Sequence, residues 1–452
     1  MTTAVRRRQR DTGLARLRDT EFARLDRTGT VYLDYTGSAL YPESLVNQHA
    51  AFLEHAMLGN PHSDHPVAAT STELLTVARR SILDFFDADP SVYTVCLTAN
   101  ASAAFKLVAE AFPFSAESRC VLTADNHNSI NGLREFAKRA GAKVTHVPLD
   151  DDLRLNAGDG SIRDVQAPSI FAYPAQSNFS GVQHSLEYIE AYQRRGYVVV
   201  LDAAAFTPSN PLSLRHVCPD FVGISFYKMF GYPTGIGALI AKKTSLAALR
   251  RPWFAGGTVD FVSVRHGMHQ LQDGPEGFED GTPNFIGAAA VPMGLRFLRD
   301  VGLERIRTHV RELTHKALVG LADMHHANGQ PAVRLYGPAD TNSRGGAVAF
   351  NVVTDTGTVQ PYWEVETAAA TAGMSVRGGC FCNPGASEKA FRIDAARSKQ
   401  CLASFGSREF SPERLSACLG GEAVGAVRAS FGLATTSADV ERLLDFVGGF
   451  RE

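Results

Sequence analysis

The chain has 452 residues, 44% of them hydrophobic and 20% charged, and its formal net charge at pH 7 is −2. This length predicts two domains around a large core. The near-neutral charge supports neither nucleic-acid binding nor attraction to a membrane surface, so we expect neither partner. No apolar run is long enough for a membrane span.

Seven cysteines are scattered along the chain. An odd number at irregular spacing in a long chain indicates free thiols rather than a disulfide framework. No spacing fits a structural zinc site, so we expect no metal. Free thiols favour a reducing compartment, and we expect the cytoplasm. Cys401 and Cys418 are interpreted as structural or incidental.

Residues 1–30 are predicted to form an N-terminal arm. Four arginines lie close together there (Arg6, Arg7, Arg8 and Arg10), but no hydrophobic core follows them, which excludes a secretory signal. We expect a solvated amphipathic helix or arm.

Short apolar runs bounded by turn residues predict buried strands at 93–98, 120–123, 143–147, 169–173, 197–202, 221–225 and 235–241. Apolar residues at helical spacing predict helices at 45–58, 72–86, 105–112 and 286–298. Strands that alternate with helices indicate βαβ units, and hence an α/β fold with a mostly parallel central sheet.

The pattern of the chain changes near residue 295. A helix is predicted at 303–326, and 347–352 alternates like a half-exposed strand. We therefore predict a large domain over 31–294 and a smaller α+β domain over 295–452. Residues 385–420 show weak periodicity and are interpreted as an irregular insertion.

Two chemically active side chains end neighbouring predicted strands. Asp202 closes the run 197–202, and Lys228 follows the run 221–225 at a glycine-rich turn. Ligands bind at the carboxyl ends of strands in such sheets. A desolvated lysine has a lowered pKa and can bond covalently to a carbonyl, as pyridoxal 5'-phosphate (PLP) requires. On these two residues alone, a surface lysine beside a turn explains the pattern equally well.

Other strand ends carry further candidates. The small residues Ala101 and Ser102 lie between a strand and a helix, where open backbone N–H groups form an anion site. His127 follows the strand 120–123, and its ring could stack on an aromatic cofactor. Asn178 follows the strand 169–173 and could donate to a phenolate oxygen. A capped turn, a loop histidine and a turn-forming asparagine are the simpler alternatives.

Several motifs along nearly the whole chain carry a resemblance, and together they are specific. They are Leu33-Asp-Tyr-Thr-Gly-Ser-Ala-Leu-Tyr-Pro-Glu-Ser44, Asn60-Pro-His-Ser63, Pro174-Ala-Gln-Ser-Asn-Phe-Ser-Gly181, Leu201-Asp-Ala-Ala-Ala205, Ser225-Phe-Tyr-Lys-Met-Phe-Gly231, Phe278-Glu-Asp-Gly-Thr-Pro-Asn284, Gly378-Gly-Cys-Phe-Cys-Asn-Pro-Gly385 and Gly425-Ala-Val-Arg-Ala-Ser-Phe-Gly432. The chain resembles the class V aminotransferase superfamily, which are PLP-dependent transferases of fold type I and include the cysteine desulfurases. Within it, the chain is most similar to the N-terminal, desulfurase-like domain of molybdenum cofactor sulfurases.

The resemblance implies a set of cofactor-binding residues. Lys228 would hold PLP covalently, Asp202 would pair with its pyridine nitrogen, His127 would stack on the ring, and Asn178 would bond the phenolic oxygen. The phosphate would be held by Ala101, Ser102, Ser225 and Thr282. In the family the Thr282 loop crosses to the partner subunit, so the resemblance implies a homodimer.

The resemblance also implies how substrate and sulfur are handled. Arg428 would bind the substrate carboxylate as a bidentate fork, with Arg377 as a second contact. Cys382, five residues after Arg377, falls at the nucleophile position, and Cys380 is a second thiol in the same loop. Lys228 would also be the base for the substrate Cα proton, and His127 would be a further catalytic residue.

Two positions distinguish this chain from most cysteine desulfurases, and two others distinguish it from the sulfurases. Tyr227 replaces a histidine and Ala205 a glutamine, and both changes are shared with the sulfurases. Tyr35-Thr36 stands where the sulfurases tend to have His-Ala. Those sulfurases usually continue into a second domain, whereas this sequence stops at Glu452, so the sulfur acceptor is left open.

The expected function is PLP-dependent desulfuration of L-cysteine or a related amino acid. It would leave a persulfide on Cys382, release alanine and pass sulfur to an acceptor protein or small molecule. One alternative is a PLP-dependent C–S lyase, or another class V enzyme of a biosynthetic pathway. A non-enzymatic scaffold or sulfur carrier is a third hypothesis, which the intact Lys228–Asp202 pair disfavours.

Overall fold

The computed structural model describes residues 12–156, 163–405 and 410–451. Its helices are α1 (Thr12–Glu21), α2 (Arg24–Thr28), α3 (Glu43–His55), α4 (Pro66–Phe85), α5 (Ala101–Ala111), α6 (Asn128–Asn131), α7 (Leu133–Arg139), α8 (Glu187–Gln193), α9 (Phe226–Phe230), α10 (Lys243–Ala247), α11 (Phe285–Val301), α12 (Leu303–Ala322), α13 (Tyr362–Thr371), α14 (Pro384–Ala390), α15 (Ala395–Ser404), α16 (Pro412–Cys418) and α17 (Ser437–Gly448), with a 3₁₀ turn at Pro275–Phe278. Its strands are β1 (Val31–Tyr32), β2 (Tyr93–Thr98), β3 (Arg119–Thr123), β4 (Lys143–Val147), β5 (Ser169–Pro174), β6 (Tyr197–Asp202), β7 (Phe221–Ser225), β8 (Gly237–Lys242), β9 (Val259–Ser263), β10 (Met268–Leu271), β11 (Val333–Tyr336), β12 (Ala347–Val352), β13 (Met374–Ser375), β14 (Arg377–Gly379) and β15 (Ala426–Ser430).

A seven-stranded sheet in the order β2-β8-β7-β6-β5-β3-β4 forms the centre of the molecule. β8 runs antiparallel to β2 and β7, and the other neighbours pair in parallel. The predicted α/β fold with a mostly parallel sheet is therefore confirmed.

The central sheet is covered on both faces, which explains why its strands read as continuous apolar runs. In β6, Val199 and Leu201 enter the core formed with α4 and α11, whereas Val200 packs into the core formed with α5. Alternate residues therefore point to opposite sides, and both sides are apolar.

The C-terminal part contains a four-stranded antiparallel sheet in the order β11-β12-β15-β14. The prediction that 347–352 is half-exposed was wrong, because every residue of β12 is buried. Val348 and Phe350 pack toward α12 and α17, while Ala349 packs with Phe179 and Tyr336. β1, which the sequence assigned to the large domain, pairs in parallel with β13.

Where the structure describes it, the N-terminal segment forms the helices α1 and α2, each with an exposed face and a face packed against the protein, so it is an amphipathic helical segment rather than a free arm. Phe22 and Leu25 are buried in the main core. The Arg18 guanidinium is also buried; it pairs with Asp26 and Asp439 and donates to the Ala434 carbonyl. Residues 1–11, and with them the arginine cluster, lie outside the described residues.

The segment 385–420 forms three short helices in its described parts, so the prediction of an irregular insertion was wrong. α14, α15 and α16 each begin with a side-chain cap, supplied by Asn383, Asp394 and Ser411. Such caps favour helices too short to show a clear apolar period.

A disulfide joins Cys401 of α15 to Cys418 of α16, 17 positions later in the sequence. The sequence did not predict this disulfide, although it favoured a structural or incidental role for Cys401 and Cys418. Sequence spacing carried no signal of this pair because the two cysteines are brought together by the packing of α15 against α16. The other five cysteines are free.

Replacing both Cys401 and Cys418 by serine should lower the free energy of unfolding by about 3 kcal/mol, the loop-entropy value for a loop of this length. Denaturant unfolding of oxidised wild type and the double variant measures the difference. Equal midpoints would show that the pair is not oxidised in solution.

None of the helices within the described ranges has the length and apolar character needed to cross a membrane.

Candidate active site

Lys228 stands in the short helix that follows a central strand. β7 ends at Ser225, which forms the N-cap of α9, and Lys228 is the third residue of that helix. Across the described residues, Nζ of Lys228 makes no hydrogen bond or ion pair. The amine is therefore available to a ligand.

Asp202 ends β6, the strand next to β7 in the sheet, and its Cα pairs in register with Gly223. One carboxylate oxygen, Oδ1, accepts a hydrogen bond of 3.0 Å from the Ala204 N–H. The other oxygen, Oδ2, has no hydrogen-bond partner in the described parts of the chain. Asp202 is thus held at the strand end with one oxygen free.

Burial lowers the pKa of Lys228, and the Asp202 carboxylate acts in the opposite direction. Arg428 and Arg377 also lower this pKa, whereas Cys382 raises it. The structure therefore brings side chains from β6, α9, β14, β15 and the loop 380–383 between β14 and α14 (the cysteine loop) into one electrostatic environment around Lys228.

His127 belongs to the same environment and is oriented by Ser129. The Ser129 N–H donates to Nδ1 of His127 at 3.1 Å, which leaves the ring proton on Nε2. Burial lowers the pKa of His127, and the Lys228 charge lowers it further. Ser129 was missed by sequence reasoning, although it stands two positions after His127.

The predicted anion site corresponds to the N-terminus of α5. The Asn100 side chain caps the helix by accepting from Ala103 N–H, and Ala101 N–H donates to Ser225 Oγ at 2.9 Å. Ser102 Oγ lies 2.5 Å from Ser129 Oγ, so one hydroxyl contact links the anion site to His127. The backbone N–H of Ser102 keeps no protein partner among the described residues.

Thr282 lines a cavity of about 340 Å³ beside the α5 N-terminus, and Lys228 is not one of the residues that line it. Thr282 is exposed, and its hydroxyl accepts from Asn60 Nδ2 at 3.4 Å. The other residues that line this cavity include Thr98, Ala99, Ala103 and Gly235.

Asn178 is tied to the loop that carries the two candidate thiols. Its Nδ2 donates to the Phe381 carbonyl at 2.7 Å, and its Oδ1 accepts from Asn383 Nδ2 at 3.0 Å. One N–H of the Asn178 amide remains for another acceptor. Sequence reasoning missed Asn383, which is fully buried and links Asn178 to the Asp125 carbonyl.

The cysteine loop holds its backbone in a strained conformation. Phe381 and Cys382 both have positive φ, at 57° and 55°, a region that costs non-glycine residues energy and clusters at functional sites. Phe381 is buried and anchors the loop, whereas Cys382 is exposed. The Cys382 carbonyl accepts from Asn128 N–H at 2.8 Å, which ties the loop to the residue after His127.

Arg428 is the largest fully buried side chain among the described residues and lies in the middle of β15. Its Nη1 donates to the Asn178 carbonyl at 2.8 Å and its Nη2 to Asp34 Oδ1 at 2.9 Å. The guanidinium stacks over the Phe381 ring at 4.7 Å, and Nε has no hydrogen-bond partner within the described part of the chain. Burial lowers the pKa of Arg428 to about 10.

Arg377 faces Arg428 across the β14–β15 pair but is engaged by Asp34. Its Nε lies 3.1 and 3.0 Å from the two Asp34 oxygens, and its Nη2 lies 2.5 Å from Oδ2. The Asp34 carboxylate holds the pKa of Arg377 above its usual value. Asp34 was missed as a site residue, although it lies inside the first motif.

The residues around Lys228 fit PLP by their own chemistry. Among the residues that the structure describes, none bonds to the Lys228 amine or to Asp202 Oδ2, and the α5 N-terminus offers a backbone N–H to an anion. The backbone is also close there, since a Cβ at Gly237 would lie 2.7 Å from Asn100 Cα. Lys228 would hold the group, and Asp202, His127, Ala101, Ser102 and Ser225 would position it.

A PLP-type site at the carboxyl ends of a mostly parallel sheet defines the class of this protein. Residues 31–443 match the aminotransferase class-V family model. The chain belongs to this family, whose members are PLP-dependent enzymes with the type I fold.

The curated relatives that it matches are molybdenum cofactor sulfurases. The chain is 35% identical over 448 residues to the protein from Drosophila mojavensis and 36% identical over 443 residues to the one from Bos taurus. Each comparison covers 91% of this chain but only 56% and 49% of the relative. The chain therefore spans about half the length of these relatives.

Solved structures of cysteine desulfurases share the fold. The apo cysteine desulfurase from Thermococcus onnurineus NA1 has a TM-score of 0.77 and 25% sequence identity, and the match covers 95% of this chain and 96% of that one. The cysteine desulfurase CsdA from Escherichia coli has a TM-score of 0.74 and 24% identity, with 96% and 97% coverage. The expected type I fold and the family resemblance are confirmed.

The resemblance implies that Arg428 binds the substrate carboxylate. On that prediction, replacing Arg428 by lysine should raise KM for the amino-acid substrate ten- to a hundredfold, because an ammonium cannot reproduce the two-pronged contact of a guanidinium with a carboxylate (about 1.5–3 kcal/mol). kcat should change much less. Lysine is chosen because it keeps a positive charge beside Asp34, so the Asp34 carboxylate is still paired with a cation at this position. Steady-state kinetics tests this, and a KM within twofold of wild type would remove Arg428 from substrate binding.

Proposed function

We propose that this protein removes sulfur from L-cysteine, holds it as a persulfide on Cys382, releases alanine and passes the sulfur to an acceptor. The observation that carries the proposal is the exposed Cys382, on a strained loop, within electrostatic reach of Lys228. The similarity to sulfurases and cysteine desulfurases supports the same substrate.

Arg428 would bind the substrate. Its remaining N–H groups would take the α-carboxylate, which orients the Cα–H bond toward Lys228. When bound, PLP supplies an electron sink for the charge that develops at Cα. Asp202, with one oxygen free, would keep the pyridine nitrogen protonated.

Lys228 would move the Cα proton. A lysine with a lowered pKa has a larger neutral fraction near pH 7, and only the neutral amine accepts a proton. His127 would pack against the ring and offer its Nε2–H, with Nδ1 fixed by Ser129.

Cys382 would take the sulfur. Its thiolate attacks the substrate Sγ, the substrate C–S bond breaks, and the electron pair of that bond stays with the three-carbon fragment. That fragment takes up protons and leaves as alanine, so that one cysteine and one enzyme thiol give one alanine and one persulfide. A thiolate is the nucleophile in this step.

The reaction can be tested by incubating the PLP-loaded protein with a panel of amino acids and measuring the products. The proposal predicts alanine and protein-bound sulfur in equal amounts from L-cysteine. Pyruvate with no bound sulfur would indicate a C–S lyase instead. No product and no cofactor binding would indicate a scaffold.

We also propose a homodimer. In one copy Thr282 is exposed, and the β9–β10 hairpin presents Phe261, Val264 and Met268 to solvent, with Val264 95% exposed. Apolar side chains on a projecting hairpin suit burial against a second subunit. Light scattering should give twice the chain mass, and a monomer with full PLP affinity would contradict a role of Thr282 across subunits.

The location that we propose is the cytoplasm. Cys382 acts only as a thiol, and it is one of the five free cysteines. The Cys401–Cys418 disulfide weighs in the other direction. Cell fractionation decides between the cytoplasm and an oxidising compartment.

A further inference from the structure

The cysteine loop is a tight turn whose backbone is strained at two successive residues. The Asn383 N–H donates to the Cys380 carbonyl at 3.0 Å, which closes the turn around Phe381 and Cys382. Both enclosed residues have positive φ, at 57° and 55°, as the central residues of a type I′ turn do. Glycine, asparagine and aspartate favour such turns, so a phenylalanine and a cysteine keep this shape only where surrounding contacts enforce it.

Asn383, the residue that closes the turn, makes three side-chain hydrogen bonds. Its Nδ2 donates to the Asp125 carbonyl at 2.7 Å and to Asn178 Oδ1 at 3.0 Å. Its Oδ1 accepts from the Ala386 N–H at 3.2 Å, which caps α14. The side chain is fully buried, where a satisfied hydrogen-bond network rigidifies its surroundings. Asn383 therefore ties the cysteine loop to the segment after β3, to the segment after β5 and to α14.

The bond to Asn178 also fixes which way the Asn178 amide faces. Because Asn383 Nδ2 donates to Oδ1 of Asn178, the Nδ2 of Asn178 is directed to the Phe381 carbonyl, which accepts at 2.7 Å. The next carbonyl, that of Cys382, accepts from the Asn128 N–H at 2.8 Å. The carbonyls of both strained residues are therefore fixed, while the Cys382 side chain stays exposed.

Close packing also docks the cysteine loop against the protein. A Cβ at Gly385 would lie 2.1 Å from the Ala124 carbonyl oxygen, so the start of α14 touches the backbone just before Asp125. The buried Phe381 ring lies with its centroid 5.3 Å from that of Phe179. Packing keeps the loop in contact with the protein, whereas directional hydrogen bonds set the angle at which the thiol leaves it.

We propose that Asn383 is a positioning residue for sulfur transfer: acting through Asn178, it holds the strained cysteine loop so that the Cys382 thiol faces the substrate. This inference rests on the proposed function, in which Cys382 attacks the substrate sulfur. Because Asn383 is fully buried, it acts through its neighbours rather than on the substrate itself.

Replacing Asn383 by serine separates positioning from helix capping. Serine and asparagine cap helices about equally well, so N383S keeps the cap of α14 and loses the two hydrogen bonds that Nδ2 donates. kcat for alanine release from L-cysteine should fall about tenfold, the effect of leaving a buried acceptor without its donor. KM should stay within about twofold of wild type, because Arg428, the proposed contact for the substrate carboxylate, is unchanged.

D394S is the matched control. Asp394 caps α15 by accepting from the Arg397 N–H, and the exchange for serine again keeps a capping residue. This variant should have the kcat and KM of wild type. If Asn383 only capped α14, N383S would behave in the same way as D394S.

A double-mutant cycle with N178A shows whether Asn383 acts through Asn178. N178A alone should lower kcat at least as much as N383S does. Adding N383S to N178A should then change kcat by less than about threefold, because the partner through which Asn383 acts is already absent. A structural role that is independent of Asn178 predicts instead that the two losses multiply.

A second readout uses the apoprotein and needs no turnover. Amide hydrogen exchange in the peptide that contains residues 380–383 measures how firmly the cysteine loop is held. N383S and N178A should each exchange there at least about threefold faster than wild type, and D394S should match wild type. If the wild type forms no alanine from L-cysteine, the proposed function fails, and the exchange rate still tests whether Asn383 holds the loop.

The proposal is overturned if N383S keeps the kcat of wild type, if its loss multiplies with that of N178A, or if neither variant speeds exchange at 380–383. If N383S does not fold, N178A decides by the exchange measurement: a wild-type rate at 380–383 contradicts a role of the Asn383–Asn178 bond in holding the loop.

Discussion

Lys228→Ala should lower alanine release by about 10³-fold or more, because it removes both the covalent anchor for PLP and the base for the Cα proton, and a positioned base alone contributes 10²–10⁴. The purified variant should lose the cofactor absorbance that depends on a covalent bond to the lysine. Treatment with borohydride should label the wild type at Lys228 and leave the variant unlabelled.

The control for this experiment is Lys243→Ala, which removes an exposed lysine at the start of α10. It should keep the colour, the label and the rate of wild type. A Lys228→Ala protein that retains full activity would end the assignment of the active site, whatever the fold.

Cys382→Ser should lower alanine release from L-cysteine by about 10³-fold while leaving cofactor binding unchanged, because a serine hydroxyl is a far weaker nucleophile toward sulfur than a thiolate. The position is exposed, so the substitution should cost little stability. Alanine quantification and the cofactor spectrum, recorded on the same sample, separate catalysis from binding.

Two other cysteine variants complete the comparison. Cys218→Ser removes an exposed thiol that lies elsewhere in the fold and should behave as wild type. Cys380→Ser shows whether the second thiol of the loop takes part. If Cys382→Ser continues to turn over L-cysteine at the wild-type rate, the sulfur does not pass through Cys382, and a C–S lyase becomes the better explanation.

The sequence was sufficient for the central sheet and for the residues at its strand ends. Apolar runs that end in Asp202 and Lys228 predict both the strands and their common edge, because parallel strands place their carboxyl ends together. The N-terminus of α5 was predicted as an anion site, although the helix begins at Ala101 rather than at 105 because Asn100 caps it.

The contacts of Asp34 could not be predicted in the same way, because its partners are remote in the sequence. Its contact with Arg377 spans 343 residues of sequence, and its contact with Arg428 spans 394. They meet because β1 pairs with β13, Asp34 itself forms a bridge with Ser430 of β15, and β14 pairs with β15. No local pattern encodes two pairings of that length.

Asn178 shows a different limit. Its side chain bonds to a backbone carbonyl, that of Phe381, and its own carbonyl binds Arg428. Every residue carries a backbone carbonyl, so the identity of a residue does not predict which carbonyl will accept a hydrogen bond. β12 shows a further limit, because its second face is buried by Phe179 from a remote segment together with Tyr336 of the neighbouring strand β11.

The central claim is that sulfur from L-cysteine reaches Cys382 beside the cofactor lysine. Mass measurement of the peptide that contains Cys382, after the PLP-loaded protein has been mixed with one equivalent of L-cysteine, tests it most directly. We expect a gain of one sulfur atom on Cys382, which a thiol reductant removes and which is matched by one alanine. Alanine formed with no added sulfur at Cys382, or sulfur found only on another cysteine, would contradict it.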